Sequence, residues 1–190
     1  MKKYENISAI ILAGGKSSRM GSDKGLIEFH GKKMIEHLLD LLQPLFENVF
    51  IISNNEAYKN FHVPVFEDVH KNFGPIGGLH SGLTHSSTHQ NLFVACDLPF
   101  INQELIEFIL EKQNEFDAVI PYHQNLPEPL CALYSKDCLL VFEEMIEAQQ
   151  FKIQDSFDRL KICKLDVSEK FFESKNPFAN MNTTEDLMNS

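Results

Sequence analysis

The sequence contains no tryptophan, and no apolar run approaches the roughly 18 residues that a membrane-spanning helix needs. The stretch Ile7 to Leu12 is also too short for the apolar segment of a signal peptide. A hydrophobic fraction of 43% and a charged fraction of 23% are ordinary for a globular protein. We therefore expect a cytoplasmic protein whose 190 residues form a single domain, residues 1–190.

Cysteine and positive charge are both scarce. The four cysteines form no C-x-x-C pair and no zinc-ligand spacing, and three of them lie in apolar runs. They are expected to be small buried side chains in a reducing compartment, without disulfides. The formal net charge is −10, which argues against a broad nucleic-acid surface. The sequence thus predicts neither a nucleic-acid nor a membrane partner.

Short apolar runs alternate with segments of helical spacing through the first two thirds of the chain. Strands are predicted at residues 7–12, 49–52, 63–66, 92–96, 118–120, 130–134 and 162–165. Helices are predicted at residues 34–42 (ending near Pro44), 75–84, 102–114 and 136–148, with a last short one near Thr184. This alternation favours an α/β, Rossmann-like fold with a mostly parallel sheet and helices on both faces.

The loop after the first predicted strand is the most informative segment. Gly14 and Gly15 lack a Cβ, so their backbone can approach phosphate oxygens closely. Lys16, Arg19 and Lys24 add three cations within nine residues. Arg19 can hold phosphate oxygens with its planar fork, and Lys24 can act beside them as a point charge. The loop follows a buried strand directly, which is where ligands bind in an open parallel sheet.

This loop differs from two common phosphate-binding patterns. It has neither the G-x-x-x-x-G-K-[ST] spacing of the Walker loop nor the dinucleotide pattern G-x-G-x-x-G. Its glycines and cations suit a triphosphate that is attacked at its α-phosphorus, because negative charge builds on the pyrophosphate that leaves.

Two aspartates are candidates for the acidic part of such a site. Asp97 ends the predicted strand 92–96, at the same sheet edge as the glycine loop. We expect it to bind Mg²⁺, which needs only one or two carboxylates besides substrate phosphates. Asp68 also follows a short strand and can lie on the nucleotide side, although an acidic pair after a strand is usually a solvated turn.

Two further features allow more than one interpretation. The glycines of Gly74 to Leu79 suit either a close approach to a base or ribose, or close packing of helix on sheet. His80, His85 and His89 are spaced so that a metal site is conceivable, but we interpret them as solvated histidines in a Ser/Thr-rich stretch.

The sequence resembles the molybdenum cofactor guanylyltransferases, a family of MobA-like nucleotidyltransferases. The first matching block is Leu12 to Gly21, followed by Asp23-Lys24-Gly25. The later blocks are Gly74 to Leu79, Cys96 to Pro99, Glu128 to Tyr134 and Phe178 to Leu187. They fall in the family's order and span nearly the whole chain. One departure is Thr184, where the family usually has a proline at the entry of a helix.

The resemblance implies a single-domain nucleotidyltransferase that moves GMP from GTP to the terminal phosphate of molybdenum-molybdopterin, with Mg²⁺ and release of pyrophosphate. Molybdoenzyme maturation proteins are further candidate partners. The catalytic residues would be Arg19, Lys24 and Asp97, and Asp97 would also bind the metal. The remaining residues implied at the nucleotide are Leu12, Ala13, Gly14, Gly15, Asn55 and Asp68, whereas those implied near the acceptor or metal are Asn180 and Asn182.

Two alternatives stay open at this point. One is a cytidylyltransferase, or a sugar-phosphate nucleotidyltransferase, of the same fold, in which the loop more often reads Leu-Ala-Ala-Gly. The other is a non-catalytic nucleotide-binding module, which would not need Arg19, Lys24 and Asp97 together.

Overall fold

The computed structural model describes residues 3–14, 23–167, 171 and 176–179. None of the helices in these ranges is both long and apolar enough to cross a membrane. The strands in the described ranges are β1 (Tyr4–Leu12), β2 (Glu28–Phe29), β3 (Lys32–Lys33), β4 (Phe46–Ile52), β5 (Val65–Phe66), β6 (Gln90–Ala95), β7 (Ala118–His123), β8 (Leu126–Pro127), β9 (Cys131–Ser135) and β10 (Ile162–Asp166). The α-helices in the same ranges are α1 (Met34–Leu45), α2 (Gly74–His85), α3 (Gln103–Leu110) and α4 (Cys138–Glu147).

Eight of the strands form one mixed sheet in the order β10-β7-β9-β6-β1-β4-β5, with β8 paired to β7. The pairs β4–β5, β1–β4, β1–β6 and β7–β10 are parallel. β9 runs antiparallel to both of its neighbours, β6 and β7, and the short β8 runs antiparallel to β7. The carboxyl ends of β1, β4, β6 and β7 therefore meet at one edge, as the predicted α/β fold requires.

Helices cover both faces of this sheet, as predicted. Alternate residues of each strand point to opposite faces, so that Ile11 of β1 packs in the core under α1 and α3. Its neighbour Ile10 packs in the core under α2 and α4. Strands buried on both faces read as continuous apolar runs, which is why the sequence pattern identified them.

The helix ends differ from the predictions in two places. α1 continues through Pro44 to Leu45, since a proline in the last turn removes only one hydrogen bond. α3 ends at Leu110 rather than near residue 114. After Leu110 the backbone forms 3₁₀-type hydrogen bonds between residues three apart, such as Gln113 N–H to the Leu110 carbonyl. Asn114 then adopts a φ of 66°, which ends the helical turns.

Several elements have no counterpart in the sequence pattern. The antiparallel hairpin of β2 and β3 and the 3₁₀ helices Lys24–Leu26, Glu56–Phe61 and Ile153–Arg159 were not predicted. Each is too short to show a hydrophobic period. The predicted helix near Thr184 lies outside the described residues. All four cysteines are free, and three of them are buried, as expected.

Candidate functional site

A cleft of about 730 Å³ opens at the carboxyl edge of the sheet, where β1, β4 and β6 end. Its volume falls within the range usual for small-molecule and cofactor sites. The residues that line it are Leu12, Ala13, Gly14, Asp23, Lys24, Ile52, Ser53, Asn54, Asn55, Asp68, Asn72, Gly74, Pro75, Gly78, Ala95, Cys96, Asp97 and Leu130.

The loop after β1 leaves the sheet from a fixed point. The backbone N–H of Ala13 donates to the Ile52 carbonyl at 3.0 Å, and the N–H of Cys96 donates to the Leu12 carbonyl at 3.0 Å. Sheet pairing thus continues to the residue before Gly14. A Cβ on Gly14 would meet no described atom within 4 Å, so this backbone faces open space in the cleft.

Four of the predicted site residues cannot be placed against this cleft. Gly15, Arg19, Asn180 and Asn182 lie outside the described residues. The same holds for Lys16, the other cation of the loop. The remaining predicted residues, Leu12, Ala13, Gly14, Lys24, Asn55, Asp68 and Asp97, all line the cleft.

Lys24 and Asp97 form an ion pair across the cleft. The ammonium of Lys24 lies 2.8 Å from Oδ2 of Asp97, and the two side chains are 24% and 19% exposed. Asp97 is positioned by the end of β6. Lys24 is the first residue of the 3₁₀ helix Lys24–Leu26, which follows the glycine loop in the sequence. Among the described lining residues Lys24 is the only basic one. A cation and a carboxylate are therefore both presented to a ligand next to the backbone of Gly14.

A second polar group lies across the cleft, after β4 and β5. The amide Nδ2 of Asn54 donates to Oδ2 of Asp68 at 2.7 Å, and the Asp68 N–H donates back to Oδ1 of Asn54 at 3.2 Å. Burial raises the pKa of the Asp68 carboxyl, and the hydrogen bond from Asn54 and the charge of Lys71 only partly offset this effect. Asn54 itself is exposed to the cleft.

The side chain of Asn55 is engaged within the protein. Its Oδ1 accepts from the Ala57 N–H at 3.0 Å, which caps the 3₁₀ helix Glu56–Phe61, and its Nδ2 donates to Oδ2 of Asp23 at 3.1 Å. The resemblance pointed to the segment Ser53-Asn54-Asn55 with its register left open, and only Asn55 was named as a site residue. Asp23 appeared there only as part of the block Asp23-Lys24-Gly25, without a role of its own.

The glycines of α2 lie in two different surroundings. Gly74, with a φ of +58°, and Pro75 line the cleft at the start of the helix. Gly78 lies against Leu12, where an added Cβ would be 3.2 Å from the leucine Cδ2. At Gly82 an added Cβ would collide with the ring of Phe93. The start of the helix thus faces the ligand space, and its later glycines permit close packing on the sheet.

Glu128 lies at the same sheet edge, two residues before the cleft residue Leu130. The carbonyl of Leu130 accepts from the Ala95 N–H at 2.8 Å, and the Glu128 N–H donates to the Pro121 carbonyl at 2.8 Å. Burial raises the pKa of the Glu128 carboxyl to about 7. The ionisation of this group thus changes near neutral pH.

The interpretation of the histidines was wrong for His80. Its side chain is only 4% exposed, it contacts the ring of His70, and its Nδ1 has no hydrogen-bond partner among the described residues. The ring of His85 stacks on Phe66. His80 is buried because α2 turns this face toward the rest of the protein. Among the described residues no group of three or more His, Cys, Asp and Glu side chains could hold a metal ion.

The fold and the cleft together define an α/β protein with a nucleotide-sized site at the carboxyl edge of its sheet. A family model described as the MobA-like NTP transferase domain matches residues 9–161. The chain belongs to this family, which confirms the resemblance found in the sequence.

Individual relatives agree with the family match. A probable molybdenum cofactor guanylyltransferase of Natranaerobius thermophilus is 35% identical over 96% of this chain and 94% of its own. A molybdenum cofactor guanylyltransferase of Vibrio campbellii is 38% identical over 95% of this chain and 92% of its own. The crystal structure of molybdopterin-guanine dinucleotide biosynthesis protein A from Archaeoglobus fulgidus is similar with a TM-score of 0.83 and 29% identity, over 96% of this chain and 95% of that one.

Proposed function

We propose that this protein transfers GMP from GTP to the terminal phosphate of molybdenum-molybdopterin and releases pyrophosphate. The observation that carries the proposal is the meeting of Lys24 and Asp97 beside the open backbone of Gly14. GTP and molybdenum-molybdopterin are chosen as substrates because the similar proteins are named for guanylyl transfer and for molybdopterin-guanine dinucleotide biosynthesis.

The proposed reaction forms one phosphorus–oxygen bond and breaks another. An oxygen of the acceptor phosphate attacks the α-phosphorus of GTP, and the bond from that phosphorus to the α–β bridging oxygen breaks. Pyrophosphate takes the electron pair and leaves. The acceptor phosphate is already an anion, so no side chain has to remove a proton from it. Such a reaction depends mainly on positioning and on stabilisation of charge.

The residues of the cleft suit these two needs. Lys24 and Arg19 would bind the leaving phosphates, where charge increases in the transition state. The backbone of residues 12–15 would contact the nucleotide at the carboxyl end of β1. Asp68, together with Asn54, would contact the ribose or base from the other wall, while Asn55 would hold its neighbours in place. Asn180 and Asn182 would lie near the acceptor or the metal.

A divalent cation, Mg²⁺ in this proposal, would be held by Asp97 together with phosphate oxygens of the substrate. One partly exposed carboxylate in a phosphate-binding cleft fits an ion that usually takes one or two carboxylates and keeps other ligands from substrate and water. When bound, the ion would neutralise charge on the phosphates. Arg19 and Lys24 would add to that neutralisation from the protein side.

The proposal extends to the whole chain and its location. The relatives match 95% and 96% of the chain, which supports one nucleotidyltransferase domain over residues 1–190. The four free cysteines suit the reducing conditions of the cytoplasm. Molybdoenzyme maturation proteins are proposed as recipients of the product.

The proposal is tested by pyrophosphate release from each of the four nucleoside triphosphates, with Mg²⁺ and molybdenum-loaded molybdopterin. We expect pyrophosphate release with GTP and with none of the other three nucleoside triphosphates. A preference for CTP would move the protein to the cytidylyltransferases, while binding of GTP without release under any acceptor would favour the non-catalytic module.

A further inference from the structure

Asp23, the residue before Lys24, is held through both of its carboxylate oxygens. The hydroxyl of Tyr58 donates to Oδ1, and the amide Nδ2 of Asn55 donates to Oδ2 at 3.1 Å. Asn55 is itself fixed, because its backbone N–H donates to Oγ of Ser53 at 3.1 Å. Two residues of the segment that follows β4, Asn55 and Tyr58, thus hold Asp23 in place directly before Lys24.

Tyr58 can serve only as a donor toward this carboxylate. The side chain is fully buried, and burial raises the pKa of its hydroxyl far above the usual value. The nearby charge of Asp23 acts in the same direction. The phenol therefore keeps its proton near neutral pH and donates it to Asp23 in the folded protein.

The residue after Lys24 is held by the same tyrosine. Gly25 is buried, and a Cβ on it would collide with the hydroxyl oxygen of Tyr58 and would lie 3.2 Å from Cβ of Cys96. Only a residue without a side chain allows the backbone to approach Tyr58 this closely. The chain is therefore fixed on both sides of Lys24, by Asp23 and by Gly25.

This arrangement determines where the lysine begins and where its ammonium can reach. Lysine carries its charge on a flexible stem, so its backbone has to be fixed if the charge is to be held at one place. The ammonium of Lys24 lies 2.8 Å from Asp97, which directly follows Cys96. Tyr58 and Asp23 thus connect the segment that follows β4 to the turn that carries Lys24.

We propose that Tyr58 and Asp23 are positioning residues that fix the backbone at Lys24 so that its ammonium meets the leaving phosphates in the transition state. This inference rests on the proposed nucleotidyl transfer. Tyr58 does not line the cleft, and both carboxylate oxygens of Asp23 are bonded within the protein. Their contribution is made through Lys24, and it is greatest when charge builds on the pyrophosphate.

The test is a double-mutant cycle on the steady-state constants of pyrophosphate release, with Tyr58→Phe, Asp23→Ala and the double variant. We expect Tyr58→Phe to lower kcat about tenfold while KM for GTP changes by less than about threefold, because misplaced catalytic groups slow the chemical step most. In the Asp23→Ala background the same change should have no further effect on kcat. If the decrease in kcat of the double variant equals the product of the decreases in the two single variants, the proposal is overturned.

Tyr134→Phe is the matched control for loss of a buried hydroxyl. Tyr134 is also fully buried, and its hydroxyl donates to the carbonyl of Pro129 at 2.8 Å. Both variants should lower the Tm by similar amounts, but only Tyr58→Phe should lower kcat. If Tyr58→Phe changes the Tm and leaves kcat at the wild-type value, Tyr58 is a purely structural residue.

A second measurement needs no nucleotide. The rate at which an amine-acylating reagent modifies Lys24 is followed by peptide mass spectrometry in the free protein, with the exposed Lys152 as internal reference. We expect Tyr58→Phe to increase the Lys24 rate several-fold and to leave the reference unchanged. An unchanged rate at Lys24 would overturn the proposal. If the wild type transfers no nucleotide at all, the proposed function fails, and this rate alone decides the positioning role.

Discussion

The ammonium of Lys24 lies 2.8 Å from the carboxylate of Asp97 and joins the loop after β1 to the end of β6. The two residues are 73 positions apart in the chain, and the parallel pairing of these strands brings them together. An isolated partly buried ion pair contributes little to stability. We infer that this pair is retained for the charges that it presents to a phosphate ligand.

Replacing Lys24 should therefore affect the reaction more than the fold. We expect Lys24→Met to lower kcat about 100-fold, the usual effect of losing one group that stabilises transition-state charge. Lys24→Arg should recover part of the loss. Lys32→Met is the control, because Lys32 pairs with Asp40 on the exposed surface. Wild-type kcat for Lys24→Met in the pyrophosphate assay would contradict the role assigned to this residue.

Asn54, rather than Asn55, should determine nucleotide affinity. We expect Asn54→Ala to raise KM for GTP about tenfold, the effect of about 1.4 kcal/mol of lost binding, with little change in Tm because the side chain is exposed. Asn60→Ala removes another exposed asparagine, from the 3₁₀ helix Glu56–Phe61, and serves as the control. An unchanged KM for Asn54→Ala would return the contact to Asn55.

The sequence pattern was sufficient for the strands of the sheet other than β8, for the helices on both faces and for the placement of Asp97. Parallel strands buried on both faces produce apolar runs, and their carboxyl ends locate the ligand edge in advance. The segment after β4 was harder, because two adjacent asparagines look alike in the sequence. Only the structure shows that Asn55 caps the following 3₁₀ helix, whereas Asn54 is exposed and bonded to Asp68. Tyr58 gave no signal at all, because it lies between Ala57 and Lys59, outside any apolar run, and its burial shows only in the structure.

Two glycines of α2 should respond differently to alanine. At Gly82 the new Cβ would collide with the buried ring of Phe93, so we expect the free energy of unfolding to fall by about 1–3 kcal/mol. At Gly78 the nearest atom, 3.2 Å away, is the end of the Leu12 side chain, which can shift. The gain in helix propensity, about 0.8–1 kcal/mol, should offset that contact. Denaturant unfolding measures both variants, and equal losses would contradict this account of the packing.

Glu128 should make stability depend on pH. Burial raises the pKa of its carboxyl from the usual 4.5 to about 7, so the unfolded chain releases this proton before the folded protein does. Between these two pH values the unfolded state binds fewer protons, and stability should fall as the pH rises. We expect Glu128→Gln to have a higher Tm than the wild type at pH 8, because the variant buries no charge. The increase should be about 2–4 °C for each kcal/mol gained in the free energy of unfolding.

The difference in Tm between Glu128→Gln and wild type should shrink as the pH is lowered from 8 to below 4.5, because the wild-type carboxyl is then protonated in both states. Glu147→Gln, on the exposed surface of α4, controls for the loss of one carboxylate. A difference for Glu128→Gln that is the same at pH 5 and pH 8 would show that burial does not perturb this group.

The most direct test of guanylyl transfer follows the phosphorus atoms of GTP. GTP labelled at either the α- or the γ-phosphate is incubated with Mg²⁺, molybdenum-loaded molybdopterin and wild type or Asp97→Ala. The account predicts that the α-label enters the acceptor, that the γ-label leaves as pyrophosphate, and that Asp97→Ala abolishes both while Lys32→Met leaves both unchanged. Release of the γ-label as free phosphate, with no α-label in the acceptor, would contradict it.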